Sequence, residues 1–401
     1  MSHVRVAGRS GALRDLYTAD TAEARGGGLL AEGRALRGPG GELIIKIGQV
    51  SPLTGPQAHL GKDNDNGARL AVDEANARGV TLGGQKVLFQ IVSEDDQADP
   101  KTATIVAQKL VDAKVKAVIG HLNSGASIPA SKIYLDAGIP QISPSATAIK
   151  YTDQGFKTAF RTMTNDRQQG KVLGEFAVQK MGGKRVAIVD DRTAYGQGLA
   201  DEVEKAVKAA GGEMVAREYT SDKDTDFTAI LTTIKGRNPD VLFFGGMDPQ
   251  GAPMSKQMKS LGLKAKFLGG DGLQTTEFMK LAGAASEGVT ASSPGLPIDS
   301  MPGGRAFREK YVAKYGPIQT YAPYAYDAVT ALIKAMELAG SYEPAKVLEA
   351  LPRVRFTGVT GQIGFDKKGD VMGGAITLYR VKGGKWTVVE VVQSSTPLRK
   401  K

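Results

Sequence analysis

The sequence predicts an α/β protein of two doubly wound lobes in series, joined by a hinge, and three observations predict it. Short apolar runs alternate with stretches of helical periodicity. The runs are nearly continuous in apolar residues, as in parallel strands covered on both faces. The whole alternation starts afresh past Asn165, and a chain of 401 residues exceeds the ~250–300 at which one hydrophobic core stops growing.

The first series of strands is expected at Leu43–Val50, Lys86–Val92, Ala117–Ile119 and Ile139–Ile142. Between them, Ala68, Ala71, Val72 and Ala75 recur at i, i+3, i+4 and i+7, as do Ala103, Val106, Ala107 and Leu110, so each helix lays one apolar stripe on the sheet. Asp99 and Pro100 supply the cap and first-turn proline of the second helix. A crossover is expected near Phe160–Asn165. The second series places strands at Arg185–Asp190, Glu213–Tyr219, Asp240–Phe244 and Lys266–Gly269. Its helices are expected near Gln197–Ala210, Phe227–Lys235 and Pro249–Leu261. Past Ser293 the pattern predicts helices at Arg305–Tyr315 and Ala322–Ala339, then strands at Gln362–Phe365, Ala375–Val381 and Lys385–Val392. Gly383 and Gly384 join the last two strands as a hairpin. The expected division is 42–162 with 296–374 as the first lobe and 163–295 with 375–393 as the second, followed by a flexible tail, 394–401.

Residues 1–41 differ from the rest. They are rich in Gly, Ala and Arg, and their longest apolar step, Leu29–Ala31, falls far short of the ~7–15 residues of an export signal's apolar core. They are expected to be a disordered leader that arises from a misassigned start or replaces the natural one. N-terminal sequencing of the native protein tests this, and an intact Met1 would refute it.

Composition narrows the function. The protein has no cysteine, which excludes disulfides, thiolate metal sites and cysteine nucleophiles. Its three histidines, His3, His59 and His121, form no HExxH, so neither a metal nor a cofactor is expected. The net charge of +10 comes from dispersed Lys and Arg with one cluster, Arg399–Lys401, so no nucleic-acid partner is expected. No strand-to-helix GxSxG or GxxxxGK[ST] occurs, Gly196 and Gly198 lack the third glycine of a dinucleotide fingerprint, and His121 reads as a hydrogen-bonded structural residue. Asp95 and Asp96 read as loop carboxylates. No enzymatic activity is expected.

Ligands of open α/β sheets bind at the carboxyl ends of the strands. In the first lobe those loops hold His121–Gly125, with Asn123 and Ser124, and Ser143–Thr147, with Ser145, Ala146 and Thr147. In the second they hold Asp191–Gly196, with Tyr195, then Gly245–Asp248, with Met247, and Gly269–Gly272, with Asp271. Hydroxyls, backbone amides and a helix start suit a carboxylate, whereas a carboxylate with an aromatic suits an ammonium group. Together they describe a clamp for a zwitterion. Taken singly, Ser124 reads as a helix N-cap, Ser145 and Thr147 as turn residues, Asp271 as a turn carboxylate between glycines, and Tyr195 as a cover for a helix start. Their joint position in strand-end loops of two repeated lobes favours the clamp.

These residues carry a resemblance. Over Ile44–Val392 the chain resembles the periplasmic leucine/isoleucine/valine-binding proteins, the type I substrate-binding receptors of ABC importers. The matching stretches are Ser51–Pro56, Asp95–Pro100, Val118–Leu122, Pro144–Thr147, Asp191–Gly198 and Glu287–Gly288. The resemblance implies Rossmann-like lobes and a periplasmic, monomeric receptor whose partners are a free amino acid (leucine, isoleucine or valine) and a membrane permease. It implies that Ser124, Ser145 and Thr147 hold the α-carboxylate, that the Ser145 backbone is shared with the amine, and that Asp271 and Tyr195 hold the ammonium side. The departures are Asp271 where many relatives have Glu, and Leu60 and Met247 at positions aromatic in some side-chain pockets, while Tyr321 stays aromatic. Ala98 and Asn123 stand where some members form a loop disulfide. A sensor of the same bilobed fold, or a receptor for another small carboxylate, is the alternative expectation.

Overall fold

The computed structural model describes residues 36–393. Of the expected leader only 36–41 fall within that range, and there Arg37 bridges to Leu43. The expected tail, 394–401, lies outside it. Chain contacts separate Met1–Leu36 from Arg37–Lys401, and the fold described here belongs to the second unit.

The first series comprises β1 (Leu43–Ser51), α1 (Ala58–Arg78), β2 (Val80–Leu82), β3 (Gln85–Asp95), α2 (Pro100–Asp112), β4 (Val118–Gly120), α3 (Ser124–Ala137), β5 (Gln141–Ser143), α4 (Ile149–Asp153) and β6 (Ala159–Arg161). Its strands form a six-stranded sheet in the order β2-β3-β1-β4-β5-β6, parallel except for β2 at the edge. The predicted stripes are buried: Ala68, Ala71, Val72 and Ala75 against one face, with Val106, Ala107 and Leu110 against the other. Asp99 caps α2, its carboxylate accepting the Thr102 N–H at 2.7 Å.

The second series comprises α5 (Asp166–Gln179), β7 (Arg185–Asp190), α6 (Ala194–Ala209), β8 (Glu213–Tyr219), α7 (Thr228–Lys235), β9 (Val241–Gly245), α8 (Asp248–Ser260), β10 (Lys266–Gly269), α9 (Thr276–Ala282) and β11 (Thr290–Pro294). The chain then returns to the first lobe for α10 (Gly304–Tyr315), α11 (Ala322–Ala339), α12 (Pro344–Ala350) and the small pair β12 (Phe356–Thr357) and β13 (Gln362–Ile363). It ends in the second lobe with the hairpin β14 (Ala375–Lys382) and β15 (Lys385–Gln393). The second sheet runs β15-β14-β11-β10-β9-β7-β8; β14 and β15 are antiparallel additions to a parallel core.

Besides α4, α5, α9, α12 and the two-residue β12, which the sequence reading did not name, three strands of the main sheets depart from the expectation. Ala159–Arg161, expected within the crossover, is strand β6, paired with β5. Thr290–Pro294 is a fully buried strand although its Thr and Ser residues give no apolar run; its hydroxyls are paired, Ser292 Oγ donating to Gln169 at 2.8 Å. Val80–Leu82 adds an antiparallel edge strand to the first sheet. All three are short, so hydrogen bonding to neighbouring strands decides them rather than periodicity.

Three segments therefore cross between the lobes, and buried Arg161 ties two of them together. Its guanidinium donates to Asp370 at 2.6 Å, to the Ala146 carbonyl at 2.7 Å and to Thr152 at 2.7 Å. In each sheet the strand order reverses at one place, between β1 and β4 and between β7 and β9. The carboxyl-end loops at those two switch points are where such sheets bind ligands.

Candidate functional site

The switch-point loops of the two lobes meet. Leu60, Leu122 and Tyr321 of the first lobe belong to one buried apolar cluster with Tyr195, Leu199 and Met247 of the second. Polar contacts cross the same boundary. Tyr321 Oη donates to Asp271 Oδ2 at 2.8 Å, the Thr320 hydroxyl to the Gln274 carbonyl at 3.1 Å, and Thr276 to Gln319 at 2.8 Å, while His59 Nε2 lies 2.7 Å from Asp248 Oδ2. The lobes are closed on each other.

Asp271 is the centre of the second-lobe half. It lies just past β10 and is 2% exposed. Its Oδ1 accepts from Tyr195 Oη at 2.8 Å and Gln169 Nε2 at 3.0 Å, and its Oδ2 accepts from Tyr321. Burial pushes its carboxyl above the usual range, and these three donors pull it back. Burial and the Asp271 charge keep the Tyr195 and Tyr321 hydroxyls protonated well beyond their ordinary pKa, so both remain donors. Tyr195 also accepts the Gly272 N–H at 3.1 Å, which aims its ring across the loop instead of over its own helix start. It can sit there because Gly196 packs closely: a Cβ at that position would lie 2.1 Å from Asp191 Oδ1 and 2.4 Å from the Gly245 carbonyl.

In the first-lobe half, α3 begins after Asn123, whose side chain makes no capping bond and instead donates to Gln57 at 2.8 Å. Ser124 occupies the first helical position, and its hydroxyl accepts the Ala148 N–H at 3.1 Å; the N-cap reading of Ser124 does not hold. Ser145 Oγ donates to the Leu122 carbonyl and accepts from Asn64, both at 3.1 Å. The Ala146 N–H is taken by Ser143 Oγ at 2.9 Å and its carbonyl by Arg161. The Thr147 carbonyl accepts the Asp166 N–H at 2.8 Å, which joins this loop to the start of α5.

That contact introduces residues the sequence reading missed. Asp166 is buried, and burial followed by the nearby charge of Asp271 raises its carboxyl to about 7; its Oδ2 has no hydrogen-bond partner. Gln169 bridges the two acids, donating to Asp166 at 3.0 Å as well as to Asp271. At a helix start Asp166 and Gln169 have the spacing of ordinary capping residues, and nothing local signals a partner 102 positions away. Asp63 was missed for the same reason. From within α1 it accepts the N–H groups of Gln319, Thr320, Tyr321 and Ala322 together with the Tyr311 hydroxyl, so a buried carboxylate fixes the segment that carries Tyr321 to the cleft. His121 is the structural residue expected, its ring bonded to Asp96 at 2.8 Å and Tyr134 at 2.9 Å. Among the described residues no cluster of His, Cys, Asp and Glu has the makings of a metal site.

A closed bilobed α/β body whose strand-end loops meet, with hydroxyls and backbone amides on one lobe facing the loop of buried Asp271 on the other, has the build of a solute receptor. Comparison with known proteins agrees: the periplasmic binding protein family matches residues 44–385, and the chain belongs to that family. It is 38% identical over 336 residues to a leucine-, isoleucine-, valine-, threonine- and alanine-binding protein of Pseudomonas aeruginosa, covering 84% of this chain and 89% of that one. It is 37% identical over 347 residues to a Leu/Ile/Val-binding protein homologue of Brucella abortus, covering 86% and 91%. Among solved structures it is similar to a leucine-binding protein of Thermotoga maritima, with TM-score 0.81 and 29% identity over 87% of this chain and 98% of that one. A branched-chain amino acid transporter substrate-binding protein of Streptococcus pneumoniae, in complex with isoleucine, gives 0.79 and 31% over 88% and 100%.

Proposed function

We propose that this chain is the extracytoplasmic receptor of an ABC importer, binding leucine, isoleucine or valine between its lobes and passing it unchanged to a membrane permease. The observation that carries the reading is Asp271, a buried carboxylate gripped from its own lobe by Tyr195 and Gln169 and from the opposite lobe by Tyr321. A cation held there reports closure directly. Ser124, Ser145 and Thr147, with Asn123 and Ala146 in the same loops, take the α-carboxylate with neutral donors. Asp271 and Tyr195 take the ammonium, and Leu60, Met247 and Tyr321 enclose the side chain. The binding specificities in the names of the Pseudomonas and Streptococcus proteins support the ligand class. The lobes are 42–162 with 296–374 and 163–295 with 375–393, and the working compartment is the periplasm. No helix among the described residues is long and apolar enough to cross a membrane.

Affinity must rest mainly on polar contacts. A Kd of about 1 μM corresponds to ~8.2 kcal/mol, of which burying a leucine side chain supplies only ~1.5–3; charge-assisted hydrogen bonds in a closed, dry cleft supply the rest. A thermal-shift panel of the free amino acids tests the reading. A ligand at 100 times its Kd stabilises by ~2.7 kcal/mol, so leucine, isoleucine or valine shifts the melt and a panel without any shift refutes the proposal.

A further inference from the structure

The lobes join at three crossings, at Thr162–Met163, Gly295–Leu296 and Gly374–Ala375. Two cavities, of about 300 and 490 Å³, open beside them, both lined by Leu296 and Tyr324. Protein interiors are otherwise close-packed, so unfilled space at the crossings leaves the angle between the lobes to hydrogen bonds. The second crossing is tied to the third: the Gly295 N–H donates to the Ala375 carbonyl at 2.6 Å, and the Thr377 hydroxyl to the Gly295 carbonyl at 2.7 Å. The first is tied to α11, the Thr162 hydroxyl donating to the Tyr324 carbonyl at 3.0 Å. Tyr324 then reaches the second with its side chain, its hydroxyl donating at 2.6 Å to the carbonyl of Pro294, the last residue of β11. That approach depends on a glycine. Gly295 has φ +102°, and a Cβ there would lie 1.8 Å from the Tyr324 hydroxyl.

Tyr321 and Tyr324 stand three residues apart at the start of α11, about 4.5 Å along a helix. Both phenols donate to acceptors of the second lobe, Tyr321 to Asp271 in the cleft and Tyr324 to Pro294 at the crossing. One bridging bond lets the lobes pivot about it, whereas two at separate points on one rigid helix fix the angle. We infer that Tyr324 is a positioning residue for ligand capture: its hydrogen bond to Pro294 holds the closed angle at which Tyr321 reaches Asp271, and so slows release of a ligand it does not touch. This rests on the amino-acid reading above and adds a determinant of residence time outside the cleft. A ligand enters the open form and is held by the closed one, so a bond that favours the closed form acts on release and leaves entry unchanged.

Tyr324→Phe removes the hydroxyl and keeps the ring. Tyr134→Phe is the control, because it removes a similarly buried hydroxyl bonded to His121 at 2.9 Å, wholly inside the first lobe. Titration of L-leucine into the full chain, with chase of bound radiolabelled leucine, gives Kd and the release rate for each. Tyr324→Phe is expected to release leucine about tenfold faster at an unchanged association rate, so that Kd rises by the same factor, which corresponds to ~1.4 kcal/mol. Tyr134→Phe is expected to melt at a lower temperature and yet release leucine at the wild-type rate. The sequence has no cysteine, so spin labels on Ile105→Cys and Leu281→Cys, exposed positions in the first and second lobes, read the angle directly. At saturating leucine their distance distribution is expected to broaden in Tyr324→Phe alone. Unchanged release from Tyr324→Phe, equal acceleration in Tyr134→Phe, or an unaltered distance distribution overturns the inference and leaves the receptor reading standing. Failure of the wild type to bind leucine is a separate result, visible before any variant is compared, and refutes both together.

Discussion

Replacing Asp271 by alanine removes the charge on which the ammonium half of the clamp depends. In the closed molecule its carboxylate accepts three buried hydrogen bonds, from Gln169 at 3.0 Å and from Tyr195 and Tyr321 at 2.8 Å each. All three donors are neutral, so they orient the carboxylate without cancelling its charge. Without Asp271 a bound ammonium is left buried and unpaired, which costs about 3–5 kcal/mol, roughly 10²–10⁴-fold in Kd. Met247→Ala deletes three heavy atoms of apolar contact, worth about 2 kcal/mol at ~0.8 per methylene-sized group, or roughly 30-fold. Titration of leucine into both variants at pH 7.5, with a melt of each to establish folding, separates the two losses. The leucine analogue without its amino group provides the control: it binds the wild type far more weakly than leucine and is indifferent to Asp271→Ala. Equal losses from the two substitutions, or an analogue that binds the wild type as tightly as leucine, would refute the clamp.

Three further outcomes are expected. The unliganded protein gains stability on mild acidification: Asp166 is raised to about 7 and Asp191 and Asp327 to about 6, in each case chiefly by burial. The folded state therefore holds more protons than the unfolded chain between about pH 4 and 7. His59 acts in the same direction: burial lowers its pKa, but the hydrogen bond and charge of Asp248 outweigh that and leave it raised. Melts across pH 5–8 are thus expected to fall with rising pH, less steeply in Asp166→Asn, and a flat or rising profile would contradict the burial of these acids. Asp63→Asn leaves only one carbonyl-type oxygen to receive five donors. Denaturant unfolding should show a loss of about 3 kcal/mol, accompanied by weaker leucine binding because the Tyr321 segment is released; unchanged binding would show that Asp63 does not position it. Arg161→Met strips a 1%-exposed guanidinium from Asp370 and should cost about 3–5 kcal/mol in the same assay; a loss under 1 kcal/mol would rule out the buried hinge pair.

Much of this protein was legible along the chain. The alternation of strand and helix, the second start past Asn165, the apolar stripes of α1 and α2 and the hairpin at Gly383 and Gly384 all follow from periodicity and turn chemistry, which act over a few residues. The strand-end loops were legible because periodicity shows where strands stop; the loops of Asn123, Tyr195 and Met247 follow strands at the two switch points, whereas those of Ser145 and Asp271 follow the neighbouring strands β5 and β10. What each side chain does there was decided only by tertiary structure. Ser124 looks like a cap and instead receives the Ala148 amide, Gln169 looks like a capping partner and instead holds Asp271, and Asp63 is an unremarkable helical acid until the chain returns and presents four amides and a phenol to it. His59 and Asp248 lie 189 residues apart and come into contact only where the lobes meet. Local patterns specify which faces become buried; the partner of a buried polar group is set by which distant segment is folded against it, and hydrogen-bond energies are large enough there to override the local reading.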